Sequence, residues 1–217
     1  VNLEAFGILA QAGITGDTVQ FTAFATGDLF NYYGDQYAGM SFVDDGFAIF
    51  DLASNYGGSP WVPQEIPDAD VPNNVLAAFW QDFELFYDAA TNQGVSLATA
   101  GAPGGWAIVE YDDVELWGGS PAIMDFEIVM ARAVNDAPGA YEIVYAYDNI
   151  NYVLPATIGV ENAAGTAATA LVNNGDTTGL ISDGSMVCFD LVGAANPVTI
   201  SFQVTVDAAA HGVLSNS

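Results

Sequence analysis

The sequence predicts an all-β fold, an antiparallel β-sandwich of jelly-roll or immunoglobulin-like type with at most a short helix. Three observations carry this. Apolar and polar residues alternate with period 2 in many short runs, which is the pattern of strands that bury one face. Gly, Asn and Asp collect between the runs, where tight turns need them. Finally, 52% of the 217 residues are hydrophobic, enough for a substantial core at a length that sandwiches reach as one domain, about 200–250 residues. The whole chain, 1–217, is therefore read as a single β-sandwich domain, with 1–17 and 180–217 as outer or partner-facing β segments.

Residues 19–25 alternate cleanly, and residues 41–50 read as a further strand run with Asp45-Gly46 inside it. Residues 74–90 (NVLAAFWQDFELFYDAA) suit either of two structures. Leu76, Phe79, Trp80, Phe83 and Tyr87 make a helical stripe, while the aromatic density fits strands, and the Pro72-Asn73-Asn74 lead-in and Gly94 exit suit both. Residues 106–111, 124–131 and 141–147 are stronger strands. Asp112-Asp113, residues 135–139 (NDAPG) and Asn174-Gly175-Asp176 read as turns between strands. The Ala/Gly-rich stretch 163–170 reads as a small-residue loop or an edge strand. Residues 186–191 and 198–206 close the series as a hairpin over 193–197.

Charge excludes more than it specifies. Twenty-seven acids face one basic residue, Arg132, for a formal charge of −26. Exposed like charges at contact repel by only about 1 kcal/mol in water, and salt screens them over roughly 8 Å, so a folded chain survives this imbalance, with cations as its natural relief. Nucleic acid and anionic membrane are excluded as partners, because both demand Lys and Arg. No apolar run approaches the roughly 20 residues of a membrane-spanning helix, and there is no basic leader region. The chain opens on Val1 and is read as a processed piece of an exported protein from a saline setting, extracellular or at the cell surface. A mean hydropathy of +0.31 calls for a large core or for apolar surface covered by neighbours.

The catalytic inventory is thin. The single histidine, His211, stands near the end of the sequence and reads as a solvated tail residue, not as the base of a nucleophile. Zinc would need His and Cys clusters that the composition lacks, and no glycine-rich loop leads to a lysine. Cys188, within Met186-Val187-Cys188-Phe189, reads as a buried inert thiol. Glu110, Asp112 and Glu115 are the carboxylates that would flank a sugar as acid and base, but among so many acids a pair carries no information. The chain is read as non-enzymatic.

Acidic loops are instead read as Ca²⁺ sites, since hard cations take six to eight oxygens from clustered carboxylates and carbonyls. Asp68-Ala69-Asp70 ahead of Pro72-Asn73-Asn74 is the first, Asp112 and Asp113 with Glu115 the second, and Asp44-Asp45 the third. None has the spacing of a known calcium-loop motif. Of the four tryptophans, Trp80 and Trp106 lie inside strand runs and are expected in the core. Trp61, between Pro60 and Pro63, and Trp117, before Gly118-Gly119, lie in loops and are the expected binding residues.

From residue 30 to residue 172 the order of features resembles a known domain. The stretches are Asn31-Tyr32-Tyr33-Gly34-Asp35-Gln36-Tyr37, then Val43-Asp44-Asp45-Gly46-Phe47, then Pro72-Asn73-Asn74-Val75-Leu76-Ala77-Ala78-Phe79-Trp80-Gln81-Asp82. Downstream come Trp106-Ala107-Ile108-Val109-Glu110-Tyr111, Asp125-Phe126-Glu127-Ile128-Val129 and Ile158-Gly159-Val160-Glu161-Asn162. Together they resemble the accessory domain that follows the catalytic domain in secreted subtilisin-like bacterial proteases, itself similar to nidogen-type extracellular domains. Residues 198–215 resemble the closing strands of bacterial surface repeat domains. The resemblance implies a β-sandwich in which residues 75–87 form two strands and no catalytic residue is carried over. It implies an accessory or binding module that contacts protein or polysaccharide at the cell surface. A second expectation, from the hydropathy and the apolar stretch 1–12, is a subunit that joins copies of itself into a filament, sheath or adhesin array by strand addition.

Overall fold

The computed structural model describes residues 2–24, 30–50, 56–101, 105–132, 141–151, 154–191 and 198–203. A 3-10 helix at Leu3–Phe6, capped by the Asn2 side chain on the Ala5 amide, precedes the strands. These are β1 (Gln20–Ala23), β2 (Phe30–Tyr32), β3 (Asp35–Tyr37), β4 (Met40–Val43), β5 (Phe47–Ile49), β6 (Val75–Trp80), β7 (Phe83–Glu84) and β8 (Gly94–Ala100). They continue with β9 (Trp106–Leu116), β10 (Ser120–Ala131), β11 (Ile143–Asp148), β12 (Pro155–Glu161), β13 (Ala168–Asp176), β14 (Met186–Leu191) and β15 (Val198–Gln203). The first sheet runs β1-β4-β5-β6-β12-β13 and the second β15-β14-β11-β10-β9, with β7 and β8 sharing the far edge of β9. Every pairing between these strands is antiparallel, and β2–β3 is a separate small hairpin. This is the all-β antiparallel sandwich that the alternation predicts.

The core lies between the sheets. Phe42, Leu76, Ala78, Ile158 and Val160 of the first sheet meet Val109, Tyr111, Phe126, Ile128 and Tyr145 of the second. Burying each such side chain contributes about 1.5–3 kcal/mol. Three tyrosines of the second sheet also reach across the core, each donating its hydroxyl to a carbonyl of the first. Tyr111 bonds Val43 O at 2.8 Å, Tyr145 bonds Gly159 O at 2.9 Å, and Tyr147 bonds Ala78 O at 2.7 Å. Ala78 and Gly159 lie where β12 shifts register against β6, and such irregularities release backbone groups from the ladder. The hydroxyls satisfy what the ladder leaves, deep in a dry interior where an unmet carbonyl is costly.

Both outer faces are partly covered. Beyond the first sheet, Val43, Phe47, Ile49, Val75, Ala77 and Trp80 form a second cluster, and the loop after β5 closes on it through Trp80 Nε1, which donates to Pro60 O. Strands β4, β5 and β6 are consequently buried on both faces throughout. That is why the run VLAAFW shows no alternation, and residues 75–87 are indeed two strands, β6 and β7, joined by a bend at Gln81-Asp82.

Other sequence expectations are corrected. Residues 41–50 are a hairpin split by Asp44-Asp45-Gly46, not one run. Gly46, at φ +75°, packs so tightly that a Cβ there would stand 2.1 Å from Phe79 O. Asp112-Asp113 is no turn, because β9 continues through it to Leu116 and the chain reverses at Trp117-Gly118-Gly119. Asn174-Gly175-Asp176 belongs to β13, with Gly175 and Asp176 opposite Ala156 and Pro155, and the turn follows from residue 177. Within 163–170, residues 163–167 form the loop and β13 begins at Ala168 as an edge strand. Trp80 is in the core, but Trp106 is 38% exposed on the outer side of β9. Strands β14 and β15 pair as expected, while residues 135–139 and 193–197 lie outside the described residues.

The buried turn at 44–46 holds the corner where the chain passes from one sheet to the other. Asp44 accepts the amides of Thr18 and Val19 at 2.7 and 2.9 Å. Asp45 Oδ1 accepts the Phe83 amide at 3.3 Å, and Asp45 O accepts that of Gln81 at 3.2 Å. Asp45 Oδ2 is buried without a donor. Burial, helped by the charges of Asp44, Asp82 and Asp17, pushes the Asp45 carboxyl up to about 9, and burial raises Asp44 to about 6.

Two predictions follow from this architecture. Tyr145→Phe or Tyr147→Phe should lower stability by about 1–3 kcal/mol, the cost of orphaning a buried carbonyl, measurable by denaturant unfolding. Between the unfolded Asp value near 4 and the folded value near 9, the folded state holds a proton on Asp45 that the unfolded state has lost, so stability falls as pH rises. Asp45→Asn keeps an acceptor for Phe83 N–H and cannot ionise. It should therefore flatten that decline in melting temperature, and parallel wild-type and variant profiles would refute the assignment.

Candidate functional site

Among the described residues, the outer face of the second sheet carries a group of acids at ligating spacing. In β9, Val109 and Tyr111 point to the core, which sends Glu110 and Asp112 outward. In β10, Phe126 points inward and Asp125 and Glu127 outward. Antiparallel register sets Glu110 directly opposite Glu127, and Asp125 opposite Asp148 of β11. On the core side the same register stacks Tyr111 on Phe126, with ring centroids 4.6 Å apart.

A β-bulge then adds a third acid. The β9–β10 register shifts between Met124 and Phe126, so Asp112 and Asp113 together face Asp125. Asp113 takes the left-handed conformation at φ 53°, and its amide donates to Asp125 Oδ1 at 2.7 Å. One carboxylate oxygen from each of Asp112, Asp113 and Asp125 lies within 4.8 Å of the others. Asn92 steadies the group by donating Nδ2 to Asp112 Oδ2 at 3.1 Å. The acids open into a cleft of about 210 Å³ lined by Glu110, Asp112, Asp125, Glu127, Tyr147 and Asp148, among others.

The N-terminal segment crosses this face as a strap. Leu3 packs on Ala98 and Ile108, its amide donates to Glu110 Oε1 at 2.9 Å, and the Gln11 amide reaches Val95 O at 3.0 Å. The strap leaves Glu110 7% exposed and its Oε2 without a hydrogen-bond donor. Burial raises the Glu110 carboxyl to about 8 against the pull of the Leu3 amide, with the Glu127 and Asp112 charges adding to it. Burial likewise lifts Asp112 to about 6 and Asp125 to about 7, each with neighbouring aspartates contributing. Arg132 lies past the opposite end of β10, half-buried, its amide donating to Gly105 O at 2.7 Å.

The acid grouped with Asp112 and Asp113 is Asp125 and not Glu115, which accepts Gln93 Nε2 at 3.0 Å near the sheet edge. Asp68 and Asp70 stand apart in the loop after β5. Asp68 Oδ1 accepts the Asp70 amide at 2.9 Å, the Asp68 amide donates to Glu161 Oε1 at 2.7 Å, and among the described residues no third acid joins them at ligating spacing. The Asp44 and Asp45 carboxylates serve backbone amides. Asp125, Glu127 and Asp148 escaped the acidic-loop reading because they lie in strands. Their signal was the mirrored pair Glu110-Tyr111-Asp112 and Asp125-Phe126-Glu127, two acid–aromatic–acid triplets that antiparallel pairing brings face to face.

Trp117 caps the β9–β10 hairpin. Its amide donates to Asp82 O and its Nε1 to Asp17 Oδ2, both at 3.1 Å, while the side chain stays 58% exposed. Trp61 is 37% exposed beside Val62 in the loop that covers the first sheet. Cys188 is buried and burial raises its thiol. His211 lies outside the described residues.

The family model described as NIDO related matches residues 5–206, and the chain belongs to that family, whose type is a non-catalytic β-rich module. No curated protein and no solved structure matches the chain.

Proposed function

We propose that this chain is a non-catalytic accessory or binding module of a secreted or cell-surface bacterial protein, and that it takes polysaccharide through Trp117. The observation that supports this is the indole at the hairpin tip. Its polar edge is held by Asp17 and its backbone by Asp82, so the ring is pre-positioned with most of its surface in water. An aromatic ring fixed in place loses little conformational freedom when a flat apolar face, such as that of a sugar ring, settles on it. Trp61 is a second contact in the same reading. The resemblance to protease accessory domains supports the exported setting, and the excess of acids disfavours anionic polysaccharides against neutral ones.

Tryptophan fluorescence titration tests this with neutral polysaccharides and, separately, collagen-like peptides. A saturable shift with polysaccharide that Trp117→Ala abolishes, and that Trp61→Ala weakens, is the expected result. A response only to peptide would assign the module to protein partners, and silence from both classes would overturn the binding role.

A further inference from the structure

We propose that Tyr56 joins Trp117 and Trp61 into one strip that takes an extended neutral polysaccharide, several sugar units at once, and not a short fragment or a chain end. This rests on the polysaccharide reading of Trp117 and adds the residue that makes two separate indoles one site. The joint lies at Asp17-Thr18. Trp117 Nε1 donates to Asp17 Oδ2 at 3.1 Å, and the Tyr56 hydroxyl donates to Thr18 O at 3.3 Å. The indole and the phenol are therefore tethered to consecutive residues, although one comes from the β9–β10 hairpin and the other from the loop after β5.

The tether is rigid. Asp44, buried, accepts the amides of both Thr18 and Val19. Thr18 is held at φ 55°, a left-handed conformation that a β-branched residue rarely adopts, and such strain persists only where the surrounding contacts over-determine it. On the loop side, Gly57 follows Tyr56 at φ +87°, so close to Val71 that a Cβ would stand 2.8 Å from the Val71 carbonyl oxygen. Tyr56 itself rests half-buried on the cluster that holds Phe47 and Trp80. Trp80 in turn donates to Pro60 O, and Trp61 follows, part-exposed. From Trp117 the path runs over Tyr56 to Trp61, and the same loop exposes Val62 and Val71. Exposed apolar side chains gathered in this way mark ligand grooves, and rings already held in place lose little freedom when a sugar face settles on them.

Isothermal titration with two soluble neutral glucans, laminarin and dextran, tests the strip, each as polymer, hexasaccharide and disaccharide. Affinity should climb with length, by about tenfold or more from disaccharide to polymer, because each further ring contact is made within a chain already bound. Tyr56→Leu keeps apolar packing on Phe47 and Trp80 but removes the ring. It should weaken polymer binding by about tenfold and leave the disaccharide, which Trp117 holds alone, unchanged; a merely structural role would lower both. Should that variant fail to fold by circular dichroism, Tyr56→Phe, which loses only the bond to Thr18, reads the same difference at smaller size. Affinity independent of length, or a folded Tyr56 variant that binds polymer like wild type, overturns the strip, and the Trp117 reading then stands if Trp117→Ala still abolishes binding. No saturable heat from either glucan at any length also overturns the strip, with the fluorescence titration deciding the Trp117 reading separately.

Discussion

The hydrogen bond from a backbone amide to a buried carboxylate is the interaction on which this structure depends. Elsewhere a lysine or arginine would meet such an acid, and this chain has almost none to offer. Amides replace them at each junction. Thr18 and Val19 donate to Asp44 where β1 begins, Phe83 donates to Asp45 at the corner between sheets, and Asp68 donates to Glu161 where the long loop closes on β12. Leu3 donates to Glu110 under the strap, and Asp113 donates to Asp125 at the bulge. Such a bond contributes about 0.5–1.5 kcal/mol where the carboxyl is protonated and about 1.5–3 kcal/mol where it is ionised, and here the bonds also fix which loops lie against which strands.

Amides carry only partial charge, so the relief is incomplete. Asp45, Glu110 and Glu161 each keep one buried oxygen without a donor, and burial lifts their carboxyls to about 9, 8 and 7. The folded chain therefore holds protons that its formal charge of −26 omits. At Asp45 and Glu161, embedded in turns and strand ends, the proton is a structural part. Glu110, in the cleft on the second sheet, holds its proton where solvent reaches the lining. The difference between the two settings is access, not chemistry.

Legibility in the sequence followed burial. Strands β9, β10 and β11 hide one face, so their alternation shows directly, and even the outward acids of Glu110-Tyr111-Asp112 are in phase with it. Strands β4 to β6 are covered on both faces, so the phase vanishes and Val75 to Trp80 fitted a helix as well as a strand. The family resemblance, carried by Pro72-Asn73-Asn74 and Phe79-Trp80, resolved that ambiguity where periodicity could not. Trp106 shares a face with Ile108 and Glu110, and that acid was the clue that its indole would not enter the core.

By itself the sequence determined the fold class and a surplus of carboxylate that one arginine could not answer. These are properties of composition and local period, and they survive any arrangement of the strands. Only the tertiary structure decided which acids act together. Asp-Asp is ordinary turn chemistry, and whether Asp112-Asp113 reverses the chain or bulges within a strand depends on whether the strand continues to find a partner. Here β10 and β7 carry it on to Leu116, and so Asp125, far along the chain, completes a group that no local reading could assemble.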